Sequence, residues 1–239
     1  MHIPDLFRFY HPGAASGATV ELDAEEAKHA RVLRFQAGDE MHLVDGKGKL
    51  FSGKAFPAKR RFEVSELTLI TKTERPAHTI TLAVAPTKNT ARFEWVIEKA
   101  VELGIGSIVP LVTEHSERST LRLDRLERIA LSAMKQSKSL WMAEISALQP
   151  FQTYLDGLGD NAWIAHCHDE LPKQSVRELI ALPSEKEVVL LVGPEGDFSS
   201  EEVKLALQNG CKGLDLGPKR LRTETAAIAV AIAAALMRA

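Results

Sequence analysis

The chain has 239 residues, 45% of them hydrophobic and 26% charged, with a formal net charge of −2. A chain of this length and balance can bury its own core without metal or disulfide staples. The two cysteines, Cys167 and Cys211, form no C-x-x-C pair, which excludes a disulfide scaffold and fits a reducing compartment. With so little net charge, any nucleic-acid contact must come from local clusters.

The N-terminal stretch, MHIPDLFRFYHPG, has no basic region followed by an apolar one, so no signal peptide is expected. The first seventy or so residues read as mostly β. One helix is expected at roughly Ala24 to Phe35. Glu40 to Val44 alternates into Asp45-Gly46, a tight-turn signal, and Lys49 to Phe56 resumes the extended pattern. Phe62 to Ile70 alternates again, but its phase slips once between Val64 and Leu67, which suggests a bulge. Short strands at close spacing predict a small barrel.

Thr71 to His78 is polar, contains Pro76 and reads as a linker, after which strands and helices alternate. Ile80 to Ala85 is a buried-type strand. Phe93, Val96, Ile97, Ala100 and Val101 recur at helical spacing up to Gly104, and Ser107 to Val112 is the next strand. Asp124 with Glu127 has the form of a capping box, and Ser199 with Glu202 has it again before a helix ending at Asn209-Gly210. Ala162 to Ala165, Val188 to Val192 and Gly213 to Leu216 supply further strands. A long Ala-rich helix starts near Thr223. Its apolar run, Ala226 to Met237, is about half of what a membrane span requires, so a buried helix is expected, in a cytoplasmic protein with no membrane partner. The whole predicts an α/β domain with a mostly parallel sheet and helices on both faces.

In such a sheet, ligands bind beyond the carboxyl ends of the strands. Two strand ends here are rich in turn residues: Gly193-Pro194-Glu195-Gly196-Asp197-Phe198, and Gly217-Pro218-Lys219-Arg220-Leu221-Arg222-Thr223-Glu224. Glycines let backbone N–H and C=O groups approach a ligand closely, although Gly and Pro also punctuate ordinary βα loops. Neither loop is a dinucleotide fingerprint or a phosphate loop. His166 and His168 share one face of a strand around Cys167, but no third ligand stands at metal-binding spacing, so no metal is expected. No G-x-S-x-G elbow is present for a hydrolase.

GPEGDFSSEEV at Gly193 to Val203, paired with LGPKRLRTETA at Leu216 to Ala226, resembles the signature of the RsmE-type 16S ribosomal RNA uridine-N3 methyltransferases of the SPOUT superfamily. The resemblance extends to Lys99-Ala100-Val101-Glu102-Leu103-Gly104, to Glu117-Arg118-Ser119, to Gln136-Ser137, and to His29-Ala30-Arg31-Val32-Leu33-Arg34. It thus spans nearly the whole chain in order. Asp197 stands where that family usually has a second Gly, and Lys138-Ser139 follows Gln136-Ser137 where an Arg is more usual.

This resemblance implies a PUA-like RNA-binding β-barrel over residues 1–72 and a SPOUT α/β domain over 73–239. A deep trefoil knot is implied in roughly 160–239, an exception to the rule against threaded chains. It implies S-adenosylmethionine as methyl donor, bound among three loops: the one after Ala162 to Ala165, one contributing Leu191, Val192, Gly193, Pro194, Glu195 and Gly196, and one contributing Leu216, Gly217, Leu221 and Thr223. It also implies a homodimer acting on 16S rRNA in the small ribosomal subunit. Arg31, Arg34, Lys88, Arg92 and Lys138 are the expected RNA contacts, and the segment Lys47 to Phe62 adds basic residues without an acidic one.

Methyl transfer from a sulfonium depends mainly on positioning and exclusion of water, and N3 of uridine must also lose a proton. Arg222 is the first catalytic candidate, because a guanidinium can stabilise charge on the uracil oxygens and its position at a helix N-terminus is otherwise unfavourable. Glu224 is the candidate base, though a carboxylate in a first helical turn is also welcome for capping. Thr223 suits the cap of the same helix. The alternatives are methylation of another base or of a ribose 2′-hydroxyl, and a non-catalytic RNA-binding protein of the same fold.

Overall fold

The computed structural model describes residues 7–75, 79–158, 161–183 and 187–237. The chain divides into two units, Met1–Arg75 with Met134–Met142, and Pro76–Ala133 with Ala143–Ala239.

The first unit contains β1 (Arg8–Tyr10), β2 (Val20–Glu21), α1 (Ala24–Val32), β3 (Glu40–Val44), β4 (Lys49–Pro57) and β5 (Phe62–Lys72). They form one sheet in the order β1-β3-β4-β5-β2, in which only β1 and β3 run parallel. Asp23 caps α1 by accepting from the Glu26 N–H, and the helix stops short of Phe35 because Arg34 takes φ 62°, a left-handed value. The expected bulge is present: β5 slips register against β4, with Glu66 at φ 55°, so that Phe62, Val64 and Leu67 all reach the core despite the broken alternation. Between β3 and β4, Asp45 Oδ1 accepts from the Lys47 and Lys49 N–H groups at 2.7 and 3.0 Å. Thr71 and Lys72, expected in a linker, extend β5; the rest of that stretch from Pro76 to His78 lies outside the described residues.

Met134–Met142 joins this unit through specific bonds. Lys135 pairs with buried Glu26, Arg8 donates to the Lys138 carbonyl, and Trp141 Nε1 donates to Thr73 Oγ1 at 3.0 Å. Gly48 donates to the Leu140 carbonyl at 2.9 Å. Partners so distant in sequence carry no periodic signal.

The second unit contains β6 (Ile80–Val84), α2 (Thr90–Glu102), β7 (Ser107–Val112), α3 (Leu123–Gln136, whose last turn belongs to the first unit), β8 (Glu144–Ile145), β9 (Gln149–Pro150) and α4 (Phe151–Leu155). There follow β10 (Ala162–Ala165), β11 (Gln174–Ser175), α5 (Val176–Ile180), β12 (Val188–Val192), α6 (Ser200–Gln208), β13 (Lys212–Asp215) and α7 (Thr223–Met237). The sheet is parallel, in the order β11-β13-β10-β12-β6-β7-β8, with β9 also on β7. Phe151 and Leu155 of α4 and Val203 and Ala206 of α6 pack on one face with Ala162, Ile164 and Leu191. On the other, α7 packs against β12 and β6 and against α2 and α5. A helix as uniformly apolar as α7 must be buried, and Ala227, Val230, Ala231, Ala233 and Ala234 are.

The capping box at Ser199 is present, with Glu202 accepting from the Ser199 N–H at 2.9 Å. The expected box at Asp124 is not. Helix α3 begins at Leu123, and the Asp124 carboxylate pairs instead with Arg122 and Arg128, because both guanidiniums fall within one turn of it. Helix α7 likewise begins at Thr223 itself, which makes Arg222 the flanking residue and corrects the expected Thr223 cap.

Candidate functional site

A cleft of about 1130 Å³ opens at the carboxyl ends of β10, β12 and β13, which are adjacent in the sheet. Three loops line it: His166 to Asp169 after β10, Gly193 to Asp197 after β12, and Leu216 to Arg222 after β13. Arg92 of α2, Lys173 ahead of β11, and Thr223 and Ala226 of α7 add to the lining. Parallel strands stop together, so their three loops necessarily share one edge.

The Gly193 loop is held from outside the cleft. Glu195 Oε1 accepts from the Lys88 N–H at 3.0 Å, and His115 Nδ1–H donates to the carbonyls of Gly196 and Asp197 at 3.1 and 3.0 Å. Glu202 accepts from the Glu114 N–H at 2.8 Å while it closes the α6 capping box. A side chain at Gly193 would lie 2.8 Å from the Phe198 nitrogen, and one at Gly196 would lie 2.9 Å from His115 Cβ. Both positions must therefore lack a Cβ for the loop to close this tightly.

In the loop after β13, Gly217 takes φ 104° and donates its N–H to Asp215 Oδ1 at 2.9 Å. That turn sends Lys219, Arg220 and Arg222 into solvent at the cleft mouth before α7 starts. Among the described residues no ion pair or side-chain hydrogen bond engages Arg222. Arg92, across the cleft, lies 3.4 Å from Glu224 Oε1.

His166, Cys167 and His168 do not converge on a metal-like centre. His168 Nε2–H donates to the Phe198 carbonyl at 2.8 Å, and the Cys167 N–H donates to Asp197 Oδ2 at 2.7 Å. His166 is buried; desolvation, reinforced by Lys173, holds its imidazole below the usual histidine range. Burial and the neighbouring Asp197 carboxylate push the Cys167 thiol up.

Of the expected donor-site residues, Val192, Gly193, Pro194, Glu195, Gly196, Leu216, Gly217, Leu221 and Thr223 all line the cleft. Leu191 does not: strand alternation turns its side chain into the core with Phe198 and Val203. Arg222 lines the cleft, whereas Glu224, one residue pair further into α7, does not, and is only 13% exposed. Among the expected RNA contacts, Arg92 lies on the cleft. The Lys88 ammonium instead pairs with Glu117 at 2.8 Å, which raises its pKa. In the first unit, Arg31 donates to the Ala58 and Arg61 carbonyls and lies over the Phe62 ring, Arg34 is exposed, and the exposed Lys138 takes φ 60°. Lys173, Asp215, Lys219 and Arg220 also line the cleft and were not singled out from the sequence. For Asp215, Lys219 and Arg220 the available signal was their nearness to the end of β13; Lys173, eight residues beyond β10, carried none.

A cleft of this size takes a nucleoside-sized ligand, with backbone groups to read it and a cationic mouth suited to an anionic polymer. Residues 73–235 match the RNA methyltransferase domain family, and residues 22–62 match the RNA methyltransferase PUA domain. The chain is 30% identical over 216 residues to the ribosomal RNA small subunit methyltransferase E of Synechocystis sp., covering 87% of this chain and 70% of that protein. A probable rRNA-methyltransferase from Porphyromonas gingivalis is 37% identical, with a TM-score of 0.83 and 95% of each chain covered. A ribosomal RNA small subunit methyltransferase E from Neisseria gonorrhoeae, solved bound to S-adenosyl methionine, is 29% identical, with a TM-score of 0.80 and 95% of each chain covered.

Proposed function

Since the chain belongs to the RNA methyltransferase family, we propose that it transfers the methyl group of S-adenosylmethionine to N3 of a uridine in 16S rRNA of the small ribosomal subunit. The observation that carries this reading is the cleft itself. Three loops from adjacent strands supply a Cβ-free cradle at Gly193 and Gly196 beside a mouth lined by Arg92, Lys219, Arg220 and Arg222.

The residues present fit the donor. The loops after β10, β12 and β13 would hold it through backbone groups, and Glu195 and Asp197 place carboxylates on the same wall. Bound there, the donor supplies an electrophilic methyl group. The chain then has to orient the uracil, exclude water and stabilise the anion left when N3 loses its proton. Arg222 is proposed for that stabilisation because its guanidinium stands uncommitted at the mouth. Glu224 lies off the cleft lining and faces Arg92, so we assign it a positioning role toward Arg92 in place of the proton acceptor first expected.

The first unit matches a PUA domain and is proposed to bind RNA through Arg31, Arg34 and Lys138, with Lys59 and Arg60 exposed nearby on the β4–β5 turn. We further propose that residues from about 160 onward thread as a trefoil knot. After β13, on the far side of β10, the chain returns in α7 to pack on β12 and β6, the return such a knot requires. A homodimer is proposed because α2 and α7, which pack together, leave Trp95, Ile232 and Leu236 between 43% and 55% exposed. Among the described residues no helix is long and apolar enough to cross a membrane, and an rRNA substrate would place the protein in the cytoplasm.

The test is to incubate small subunits lacking the modification with labelled donor and the protein, then map the methylated nucleotide. Label on uridine N3 is expected. Label on a ribose or another base would overturn the proposed target, and no donor binding by calorimetry would favour a pure RNA-binding module.

A further inference from the structure

Asp197 occupies a position that L-residues rarely tolerate, with φ 66°, yet its N–H, its carbonyl and both carboxylate oxygens are all hydrogen-bonded. Its N–H donates to the Pro194 carbonyl at 2.9 Å, closing the tight turn that starts at Pro194. Its carbonyl accepts from His115 Nδ1–H. Its carboxylate spans two loops: Oδ1 accepts from the Phe198 N–H at 2.8 Å, and Oδ2 accepts from the Cys167 N–H at 2.7 Å. Next to that staple, His168 Nε2–H bonds the Phe198 carbonyl, so the loop after β10 is fixed to the loop after β12 at two points. The Cys167 thiol also donates to the Asp197 carboxylate, a further bond between the two loops.

A backbone N–H bonded to a carboxylate is a charge-assisted contact, stronger than a neutral one. Only a residue with two acceptor oxygens can serve both N–H donors at once; an amide would turn its NH₂ against one of them. Glycine would suit the backbone better and supply no staple. The chain therefore accepts a strained φ in exchange for the link between the two loops.

We propose that Asp197 is a positioning residue of the donor site, whose carboxylate locks the loop after β10 onto the Gly193 loop and thereby preforms the cleft for donor binding. The donor half of this inference rests on the methyltransferase reading above; the staple itself does not. Preorganisation lowers the ordering that binding would otherwise require, so its loss falls on donor affinity more than on the chemical step.

Two readouts separate the parts. In steady-state methylation of small subunits, Asp197→Gly is expected to raise KM for S-adenosylmethionine about fivefold with kcat little changed, and Asp197→Asn to recover part of that. Independently of activity, the exposed Cys167 thiol reports the staple, because the adjacent carboxylate helps keep it protonated while Cys211 is buried and raised to about 11. Iodoacetamide at pH 8 is expected to alkylate Cys167 several-fold faster in Asp197→Gly than in the wild type, with Asp197→Asn, which preserves the side-chain shape, in between. Both variants remove the charge beside the thiol, so the difference between them reports the staple: equal alkylation rates in Asp197→Gly and Asp197→Asn, or a wild-type rate in both, would overturn it. Faster alkylation with an unchanged KM would overturn its role in donor binding. If the wild-type protein binds no S-adenosylmethionine, the functional reading fails, and the alkylation series still decides the staple.

Discussion

Glu224 Oε1 lies 3.4 Å from Arg92 Nη1, while its second oxygen, Oε2, is buried with no hydrogen-bond partner among the described residues. The first turns of α7 and α2 are thus tied by a carboxylate that is only 13% exposed, at the edge of the cleft that Arg92 lines. A half-committed buried carboxylate gives Arg92 an ion-pair partner at 3.4 Å and favours one placement of its guanidinium. Glu224→Gln and Arg92→Ala should each raise KM for the ribosomal substrate about three- to tenfold. Donor affinity, read by calorimetry, should stay at the wild-type value. The double variant should be little worse than either single one, since the two side chains act as one unit. Fully additive losses would separate them.

Arg222 flanks α7, where a cation is disfavoured by the helix dipole, and no protein carboxylate compensates it among the described residues. Arg222→Ala should therefore fold at least as well as the wild type, while kcat for methylation falls about 100-fold, the scale for loss of one charge-stabilising donor. A variant that methylates at the wild-type rate removes Arg222 from the chemistry.

Gly213 lies where β13 passes His166. An added Cβ would collide with the Pro172 carbonyl and stand 2.9 Å from His166 Nε2. Gly213→Ala should cost about 1–3 kcal/mol of stability through this overpacking, visible as a lower Tm. Gly157→Ala is the control, since a Cβ there meets nothing within 4 Å. Its Tm should match the wild type or exceed it slightly.

The depressed pKa of His166 links stability to pH. Its folded value lies below the usual histidine value of about 6.5, so as pH falls past 6.5 the unfolded chain takes up the proton first. The stability tied to neutral His166 is intact above that pH and is lost as pH drops toward the folded value. Urea midpoints of the wild type should therefore fall more between pH 7.5 and 5.5 than those of His166→Gln. His42, also held low by burial, stays in both proteins and contributes equally to each. Equal slopes would show that burial of His166 does not govern this range.

Most of the elements, and the phase slip in β5, were legible in the sequence, because each rests on a local rule. Ser199 with Glu202 marks a helix start, Asp45-Gly46 marks a turn, and period-2 alternation broken between Val64 and Leu67 marks a bulge. The two Gly-containing strand ends also marked themselves, and the cleft lies at them. What sequence alone could not decide was which side chain each position finally meets. Leu191 turned to the core, Lys88 to Glu117 and Glu224 to Arg92, and Asp197, a mere departure in the motif, became the link to Cys167. The segment Met134–Met142 joined the first unit through Lys135 and Trp141 in the same way. Local rules follow from backbone sterics and periodicity, which neighbours in the chain fix by themselves. Ion pairs and loop staples join residues brought together only when the sheet assembles, and their energies depend on a burial that no single segment possesses.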